Sequence, residues 1–300
     1  MTVLSDKPRA LITGINGFTG RHLAARLLSE GYDVVGLAQS DSENSDNVYG
    51  CDLLDAEHLR MVVDEAQPDV VAHLAAISFV AHSDVESIYR TNVVGTRNLL
   101  AALAASRHQP ASVLLASSAN VYGNARVDAI DESVPFNPAN DYAVSKVAME
   151  YMARQWMSDL PIVITRPFNY TGVGQADRFL LPKIVKHFKE GKEAIELGNL
   201  DVARDFSDVR TVVDAYARLL EASPSDEAFN ICSGEATSLK QVIQLMEDIS
   251  GYEIDVRVNP AFVRASEVKR LCGSNAKLVE AVGAIEPISL KDTLQRMYRY

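Results

Sequence analysis

The stretch RALITGINGFTGRHL, residues 9–23, joins a short apolar run to a segment with helical spacing. The apolar run predicts a buried β-strand, and residues 20–32 predict a helix that ends near a glycine. Between them lie Gly14, Gly17 and Gly20. A strand, a glycine-rich turn and a helix form the first unit of a doubly wound α/β fold, so this stretch predicts the fold of the chain.

The residues that follow repeat the alternation of strand and helix. Their apolar runs lack polar alternation, which is typical of parallel strands covered by helices on both faces. We therefore expect a doubly wound parallel Rossmann sheet that binds its ligands at the carboxyl ends of the strands. The predicted strands are 33–38, 68–76, 112–118 and 161–169, and the predicted helices are 55–66, 91–106 and 141–158.

The alternation is interrupted after Asn169, which predicts a second, smaller α/β domain. We expect this domain to be discontinuous and to pack on the ligand edge of the sheet, at its C-terminal side. The predicted Rossmann domain comprises residues 1–168 and about 200–228, and the nucleotide-sugar-binding domain comprises about 169–199 and 229–300.

Composition and charge exclude several classes of function. The net charge of -11 argues against nucleic acid or an anionic membrane as a partner, because both attract positively charged surfaces. No apolar run approaches the roughly 20 residues of a membrane span, and the N-terminus lacks a signal-peptide core. Cys51, Cys232 and Cys272 are odd in number and far apart, which favours reduced thiols and a cytoplasmic location.

The glycine loop also predicts a ligand. The first glycine permits a tight turn, and the others let the backbone approach a pyrophosphate. The amides and the dipole of the helix N-terminus then stabilise the phosphates. A purely structural turn is the alternative, but the position of the loop in the first strand–turn–helix unit favours a dinucleotide site.

With its G-x-x-G-x-x-G spacing, the loop resembles that of the extended short-chain dehydrogenase/reductases. CDLLD, residues 51–55, resembles the adenine-contacting segment of that family, and HLAA, residues 73–76, resembles the segment that lines the cofactor cleft. We expect His73 to be hydrogen-bonded at a strand end, and we expect no metal site. The resemblance implies cofactor contacts at Gly14, Asn16, Gly17, Phe18, Thr19, Gly20, Gln39, Asp52, Leu53, Leu74, Ala75, Ala76, Tyr142, Lys146, Pro167 and Asn169.

The end of the second strand predicts the type of cofactor. An acidic residue there would bind the ribose 2'-hydroxyl of NAD and repel a 2'-phosphate. The strand closes with Ala38, Gln39 and Ser40, so this acid is missing, although no arginine replaces it. We therefore expect NADP (NADPH) to be preferred and NAD to be tolerated.

Tyr142 and Lys146 in DYAVSK lie four residues apart and would share one face of a helix. A lysine ammonium beside a phenol favours the phenolate, so we expect it to lower the pKa of Tyr142 from its usual value of about 10. Such a tyrosine exchanges a proton with a carbonyl or alcohol oxygen. The resemblance adds Ser118, in SSANVYG (117–123), as the third catalytic residue.

The resemblance extends into the second half, to the enzymes of nucleotide sugars and especially of GDP-sugars. Two arginines, Arg204 and Arg264, suit a diphosphate because the guanidinium fork matches its oxygens. For Arg204 the alternative is an ion pair with Asp205 or Asp208. The implied substrate contacts are Ser78, Ser118, Asn120, Tyr142, Asn169, Phe179, Lys183, Asn199, Arg204, Arg264 and Glu267.

Asn120 decides between the reactions of this group. The dehydratases carry a glutamate two residues after the catalytic serine or threonine, and an amide cannot exchange protons in its place. The resemblance therefore implies reduction of the C4 keto group of GDP-4-keto-6-deoxy-D-mannose to GDP-D-rhamnose. A nucleotide-sugar 4-epimerase and a GDP-mannose 4,6-dehydratase are the alternatives, and a non-catalytic NAD(P)-binding sensor is a distant one.

The resemblance also implies an assembly. Members of the family commonly form homodimers through a four-helix bundle to which each subunit contributes two helices. In this chain those helices would be residues 91–106 and 141–158, whose alanine, leucine and methionine content is equally compatible with core packing. We expect a homodimer that binds a GDP-sugar, without a nucleic acid or a membrane as a partner.

Overall fold

A seven-stranded parallel sheet forms the centre of the computed structural model, which describes residues 7–39, 47–78, 84–125, 127–262 and 269–300. The strands, numbered along the chain, are β1 (Arg9–Thr13), β2 (Asp33–Ala38), β3 (Val48–Gly50), β4 (Val70–His73), β5 (Ser112–Ala116), β6 (Ile162–Pro167) and β10 (Glu227–Ile231). Their order is β10-β6-β5-β4-β1-β2-β3, and each neighbouring pair is parallel. The predicted doubly wound Rossmann sheet is therefore confirmed.

The strand order locates the ligand cleft. From β1 the chain proceeds outward to β2 and β3 on one side and to β4, β5, β6 and β10 on the other. The direction of winding thus reverses between β1 and β4, which both end at the same edge of the sheet. Open α/β sheets bind ligands outside the carboxyl ends of the strands at such a switch point.

Helices cover both faces of the large sheet because each presents one apolar stripe to it. The helices are α1 (Phe18–Ser29), α2 (Ala56–Ala66), α3 (Val85–Tyr89), α4 (Thr96–Ala105), α5 (Asp141–Ala153), α6 (Leu180–Lys189), α7 (Val209–Ala222), α8 (Leu239–Ser250), α9 (Ala276–Val282) and α10 (Leu290–Arg299). One buried cluster includes residues of α2, α4 and α5, and the other includes residues of α1, α7 and α9.

Two small sheets lie outside the large one. In the first, β9 (Ala203–Asp208) pairs with β7 (Asn169–Thr171), β11 (Ala236–Ser238) and β13 (Arg270–Leu271). In the second, β8 (Ala194–Leu197) pairs with β12 (Asp255–Val258). A separate apolar cluster, to which α6, α8 and α10 contribute, packs with the second sheet.

The sheets divide the chain differently from the boundaries expected near residues 200 and 228. Strand β9 was expected in the Rossmann domain but pairs within the first small sheet. The position of residue 228 lies inside β10, which pairs with β6 in the large sheet. The sheet to which β9 or β10 belongs is decided by backbone pairing with strands far away in the sequence. The local residue pattern does not indicate which strands will pair.

The long helix expected at 91–106 begins earlier and changes its winding. It starts at α3, passes through a π-helical segment at Arg90–Gly95 and continues as α4. The helix expected at 141–158 is α5, which ends at Ala153 and is followed by a 3₁₀ turn at Arg154–Trp156. A π segment places an extra residue in one turn and is frequent at functional sites.

Candidate active site

The glycine loop at the end of β1 is tightly packed against the strand ends. Gly14 has φ +71°, and a Cβ atom there would lie 2.9 Å from the backbone of Ala75. A Cβ at Gly20 would overlap the carbonyl oxygen of Gly14, so both positions require glycine. Helix α1 begins after Gly17 without a side-chain cap, which leaves the amides of its first turn to an anionic ligand. The loop therefore fits the pyrophosphate of a dinucleotide.

Aromatic contacts hold the start of α1 against the segment that follows β6. The ring of Phe18 stacks on Tyr170 with 6.1 Å between centroids, and Thr19 Oγ1 lies 2.8 Å from the Tyr170 hydroxyl. Sequence reasoning missed Tyr170, which lies one residue beyond the predicted contact at Asn169. The only sequence signal was its position in the RPFNYTG segment.

The other predicted cofactor residues lie around the same sheet edge. Gln39 is exposed directly after β2, and Asp52 and Leu53 follow β3. Asp52 accepts a hydrogen bond from the amide of Leu54, while Leu53 is buried. Leu74, Ala75 and Ala76 follow β4 and are half-buried. Pro167 is buried at the end of β6, and Asn169, two residues later, is exposed. Asn16 is exposed in the glycine loop.

His73 forms a closed hydrogen-bond network at the end of β4. Its Nδ1 lies 2.7 Å from Thr13 Oγ1, and its Nε2 lies 2.9 Å from Thr96 Oγ1. Thr96 donates to the carbonyl of Asn92, so it accepts from Nε2–H, and Nδ1 accepts from Thr13. Burial lowers the pKa of His73 to about 3, so the ring is neutral. The histidine is thus hydrogen-bonded at the strand end, as predicted.

Ser118, Tyr142 and Lys146 lie close together where β5 ends and α5 begins. All three side chains are buried, and the hydroxyl groups of Ser118 and Tyr142 are hydrogen-bonded to each other. Lys146 Nζ donates to the carbonyl oxygen of Ala116, the last residue of β5, over 2.7 Å. Asn140 caps α5 by accepting from the amide of Ala143, which fixes the first turn that carries Tyr142.

The expected lowering of the tyrosine pKa is wrong for the protein without a bound cofactor. Burial raises the pKa of Tyr142 to about 12, against a smaller lowering by Ser118. Burial also lowers the pKa of Lys146 to about 8, against a raising effect of Glu150. Desolvation disfavours both charged forms and outweighs the attraction expected between them. Tyr142 is therefore protonated at neutral pH, which suits a proton donor.

The serine is oriented by the 3₁₀ turn Ala119–Tyr122 that it caps. Ser118 Oγ accepts from the backbone amide of Asn120 and from the Asn120 side-chain amide, each over 3.2 Å. Both lone pairs of the hydroxyl are then occupied, and its hydrogen is left for Tyr142 or a substrate oxygen. Asn120 thus holds the serine in place and supplies no acid or base.

Several residues that organise the site were missed from the sequence. Asn92, in the π segment, accepts from the amide of Ile77 and donates to Ile77 O and to Ser145 Oγ of α5. Glu150 and Arg166 form a buried ion pair behind the serine. Glu150 follows Lys146 by four residues, as Lys146 follows Tyr142, and that repeated spacing was the available signal.

The predicted substrate residues surround the sheet edge on the side of the small sheets. Lys183 Nζ donates to the carbonyl oxygen of Glu196 and lies 4.7 Å from the ring centroid of Phe262. Arg204 is half-buried on β9 and donates to the carbonyl of Ala203. Phe179, just before α6, and Asn199, after β8, are half-buried. Ser78 follows β4 and is exposed. Arg264 and Glu267 lie outside the described residues.

The two carboxylates considered as alternative partners of Arg204 have other contacts. Asp205 accepts from the amides of Ser233, Gly234 and Gly273. Asp208 is bound by Arg210 in two hydrogen bonds of 2.7 and 2.9 Å and by Thr293. The acceptor positions of both acids are therefore engaged by groups other than the Arg204 side chain in these contacts.

A parallel sheet with a glycine loop at its switch point, and with a buried serine, tyrosine and lysine at the end of β5 and on α5, defines a dinucleotide-dependent oxidoreductase. The chain belongs to a family of such enzymes described as GDP-mannose 4,6 dehydratase, whose model matches residues 11–297. The predicted membership of the nucleotide-sugar group of extended short-chain dehydrogenase/reductases is confirmed.

Two curated relatives span almost the whole chain. The GDP-6-deoxy-D-mannose reductase of Pseudomonas aeruginosa is 35% identical, and the match covers 96% of this chain and 95% of the relative. The GDP-6-deoxy-D-talose 4-dehydrogenase of Aggregatibacter actinomycetemcomitans is 32% identical, with 97% of each chain covered. Both relatives are oxidoreductases of GDP-6-deoxy sugars.

Two solved structures share the fold over the same length. A candidate epimerase from Burkholderia cenocepacia J2315 is 51% identical, with 97% of each chain covered and a TM-score of 0.92. RMD from Pseudomonas aeruginosa in complex with NADPH is 33% identical, with 98% of each chain covered and a TM-score of 0.87.

Proposed function

We propose that this protein reduces the C4 keto group of a GDP-4-keto-6-deoxyhexose and converts GDP-4-keto-6-deoxy-D-mannose to GDP-D-rhamnose. The observation that carries the proposal is the set Ser118, Tyr142 and Lys146 with the amide Asn120 beside it. This set can polarise and protonate a keto oxygen but has no carboxylate at the position of the dehydratase glutamate. The names of the relatives from Pseudomonas aeruginosa and Aggregatibacter actinomycetemcomitans support a GDP-6-deoxy sugar as the substrate.

The residues act on one oxygen atom. Ser118 donates its hydrogen to the keto oxygen at C4, and Tyr142 transfers its phenolic proton to that oxygen as negative charge develops. Lys146 binds the cofactor ribose and stabilises the tyrosinate that remains, which solvent then reprotonates. The nicotinamide supplies the hydride that forms the new C4–H bond and is oxidised in the same step.

The cofactor would be held by the glycine loop and by the strand ends around it. Gly14, Gly17 and Gly20 receive the pyrophosphate, and Asp52 and Leu53 lie where the adenine is expected. Gln39 follows β2 without presenting a negative charge to a 2'-phosphate, so NADPH is preferred and NADH is tolerated. The NADPH complex of the Pseudomonas aeruginosa structure supports this preference.

The substrate diphosphate would meet the positive and amide groups that face the cleft. Asn169 follows β6 and Arg204 lies on the neighbouring β9, and Arg264 belongs to the same set by sequence. The guanine base would lie toward Phe179 and Lys183 at the start of α6. Ser78, Asn199 and Glu267 complete the proposed substrate contacts.

A homodimer in the cytoplasm is part of the proposal. The segment 90–95 and helix α5 expose Val94, Val144 and Tyr151, which suit a helix-bundle interface with a second copy. The three cysteines are buried thiols that form no disulfide, which fits a reducing compartment. None of the helices in the described residues is long and apolar enough to cross a membrane.

The test is to mix the purified protein with NADPH and GDP-4-keto-6-deoxy-D-mannose and to follow the absorbance of NADPH. Stoichiometric oxidation is expected, and NMR of the product should show the large H3–H4 and H4–H5 couplings of an equatorial 4-hydroxyl. Small couplings would identify the 6-deoxytalose product instead. Absence of oxidation with fresh substrate would refute the reductase assignment.

A nucleotide-sugar 4-epimerase is the second candidate, because the Burkholderia cenocepacia structure at 51% identity is a candidate epimerase. An epimerase uses the same three residues, retains its NAD and consumes none. Protein that is purified with bound NAD and interconverts C4 epimers without net change in NADH would favour this candidate.

A further inference from the structure

A fully buried ion pair lies directly behind the catalytic serine. Arg166, next to the last residue of β6, is 3% exposed, and Glu150, in the last turns of α5, is 0% exposed. The guanidinium binds the carboxylate through Nε to Oε1 over 3.0 Å and through Nη2 to Oε2 over 2.7 Å. This parallel two-point geometry fixes the relative orientation of β6 and α5.

The ion pair also contacts the segment that carries the catalytic serine. Ser117 Oγ donates to Glu150 Oε1 over 2.6 Å, and Ser118 is the next residue. Arg166 Nη1 donates to the Tyr122 hydroxyl over 2.8 Å at the far end of the same turn. The segment after β5, helix α5 and the end of β6, which together carry all three catalytic residues and Pro167, are therefore connected through two charged groups.

The pair has an electrostatic relation to Lys146. The groups that face its ammonium are His73 of β4, the carbonyl of Ala116 of β5 and Glu150 of α5, and Tyr142 lies four residues before Lys146 on the same helix. His73 is neutral and Tyr142 is protonated, so the carboxylate of Glu150 is the negative charge among them. It raises the pKa of Lys146, which burial alone lowers.

Stability is a weak explanation for such a pair. The desolvation of two buried charges offsets most of their attraction, and apolar replacements of similar volume are often neutral for folding. Glu150 instead accepts from Ser117, and Arg166 donates to Tyr122 of the serine turn as well as contacting the Glu132 carbonyl and the Phe136 ring.

We propose that Glu150 and Arg166 are positioning residues of the reaction: their ion pair fixes the serine turn against α5 and β6, and Glu150, four residues after Lys146 on α5, provides the countercharge for the buried ammonium. This inference rests on the proposed function for its turnover readout. Its binding readout, the affinity for NADPH, does not require the sugar.

Two changes separate the geometric role from the electrostatic one. Arg166→Lys keeps the charge but loses the planar fork, so we expect kcat to fall by about 10-fold or more, with an unchanged pH profile. The double change Glu150→Gln with Arg166→Gln removes both charges without leaving one unpaired. The affinity for NADPH, measured by fluorescence titration at a series of pH values, should fall on the alkaline side of its pH profile. The double change should shift this alkaline limb to lower pH by at least about half a unit.

The matched control is Asp214→Asn, which breaks ion pairs of Asp214 with Arg26 and Arg218 away from the catalytic segments. It should leave kcat and the pH profile unchanged. All variants are measured at a temperature at which circular dichroism shows them folded. A folded Arg166→Lys variant with the kcat of the unchanged protein would overturn the geometric role.

An unmoved alkaline limb in the double variant would overturn the electrostatic role. If the double variant does not fold, Glu150→Gln alone, measured in its folded range, gives the same titration and the same criterion. Failure of the unchanged protein to reduce the keto-sugar would refute the proposed function and leave the NADPH titration as a separate test of this inference.

Discussion

The cofactor side and the substrate side of the cleft are built in different ways. On the cofactor side, the residues from Thr13 to Gly20 form the loop within one strand–turn–helix unit. On the substrate side, Asp205 of β9 accepts from the amides of the neighbouring Ser233 and Gly234 and from the amide of Gly273. It thus joins three segments that are far apart in the sequence. The first side is specified by local sequence, and the second depends on contacts between residues far apart in the chain.

This difference predicts which property a single substitution should change: cofactor affinity, sugar affinity, stability or turnover. A change in the glycine loop should affect cofactor affinity without changing sugar affinity, because the loop lies within one strand–turn–helix unit. A change at a long-range link of the substrate side should affect stability and sugar binding together. The proposed catalytic residues lie where the two sides meet, and loss of the proton donor Tyr142 should affect turnover more than either affinity.

Tyr142→Phe should have the largest effect. Loss of the proton donor should lower kcat by about 10²–10⁴-fold, the range of general acid catalysis, while the affinity for NADPH stays within about two-fold. Stopped-flow absorbance and fluorescence titration measure the two quantities. Tyr252→Phe, in the substrate domain near the end of α6, is the matched control and should retain kcat. An active Tyr142→Phe variant would contradict the assignment.

Gly14→Ala should weaken NADPH binding by about 10-fold or more. The position has φ +71°, and the new Cβ would press on the backbone of Ala75. Gly31→Ala is the control, because Gly31 has φ +89° but no atom within 4 Å of its Cβ position. It should lose only about 1–2 kcal/mol of stability through backbone strain. Equal losses of NADPH affinity in both variants would show that the close approach is unimportant.

Asp205→Asn should destabilise the substrate side by about 1–3 kcal/mol, because an amide NH₂ would face backbone donors that lose their acceptor. Thermal denaturation measures the loss, and we expect a raised KM for the sugar with unchanged NADPH affinity. Asp201→Asn, at an exposed pair with Lys240, should leave the Tm unchanged. A selective loss of NADPH affinity in Asp205→Asn would contradict the division between the two sides.

The pH profile should show the smallest effect. The pKa of Lys146 is lowered to about 8, so the cation that binds the cofactor is lost as the pH rises through that value. The value of kcat/KM for NADPH should therefore decline above about pH 8. Tyr142, with a pKa raised to about 12, remains protonated in this range and contributes no limb. A profile that is flat to pH 10 would contradict the role of Lys146.

The sequence predicted the large sheet well because its signals are local. Apolar runs, the glycine turn and helical spacing each act within about ten residues, and β2 has the bounds that the pattern indicates. The catalytic residues lie together as expected, since their motifs mark the ends of adjacent elements.

The rest depended on long-range contacts. The pairing of β9 with three other strands and the burial of Glu150 against Arg166 join segments that no local pattern connects. The predicted lowering of the pKa of Tyr142 was wrong because it depends on burial. The spacing of Tyr142 and Lys146 indicates that they are close together but not how deeply they are buried.

The hydrogen bonds from Asn120 to Ser118 have a consequence for the direction of catalysis. Since both lone pairs of the hydroxyl are occupied, Ser118 can stabilise an oxygen but cannot remove a proton from an alcohol. Oxidation of a 4-hydroxyl would need the tyrosinate, which is scarce at neutral pH because burial raises the pKa of Tyr142 to about 12. The oxidation rate should therefore increase with alkalinity relative to the reduction rate, because reduction consumes the phenolic proton of Tyr142 and oxidation needs the tyrosinate.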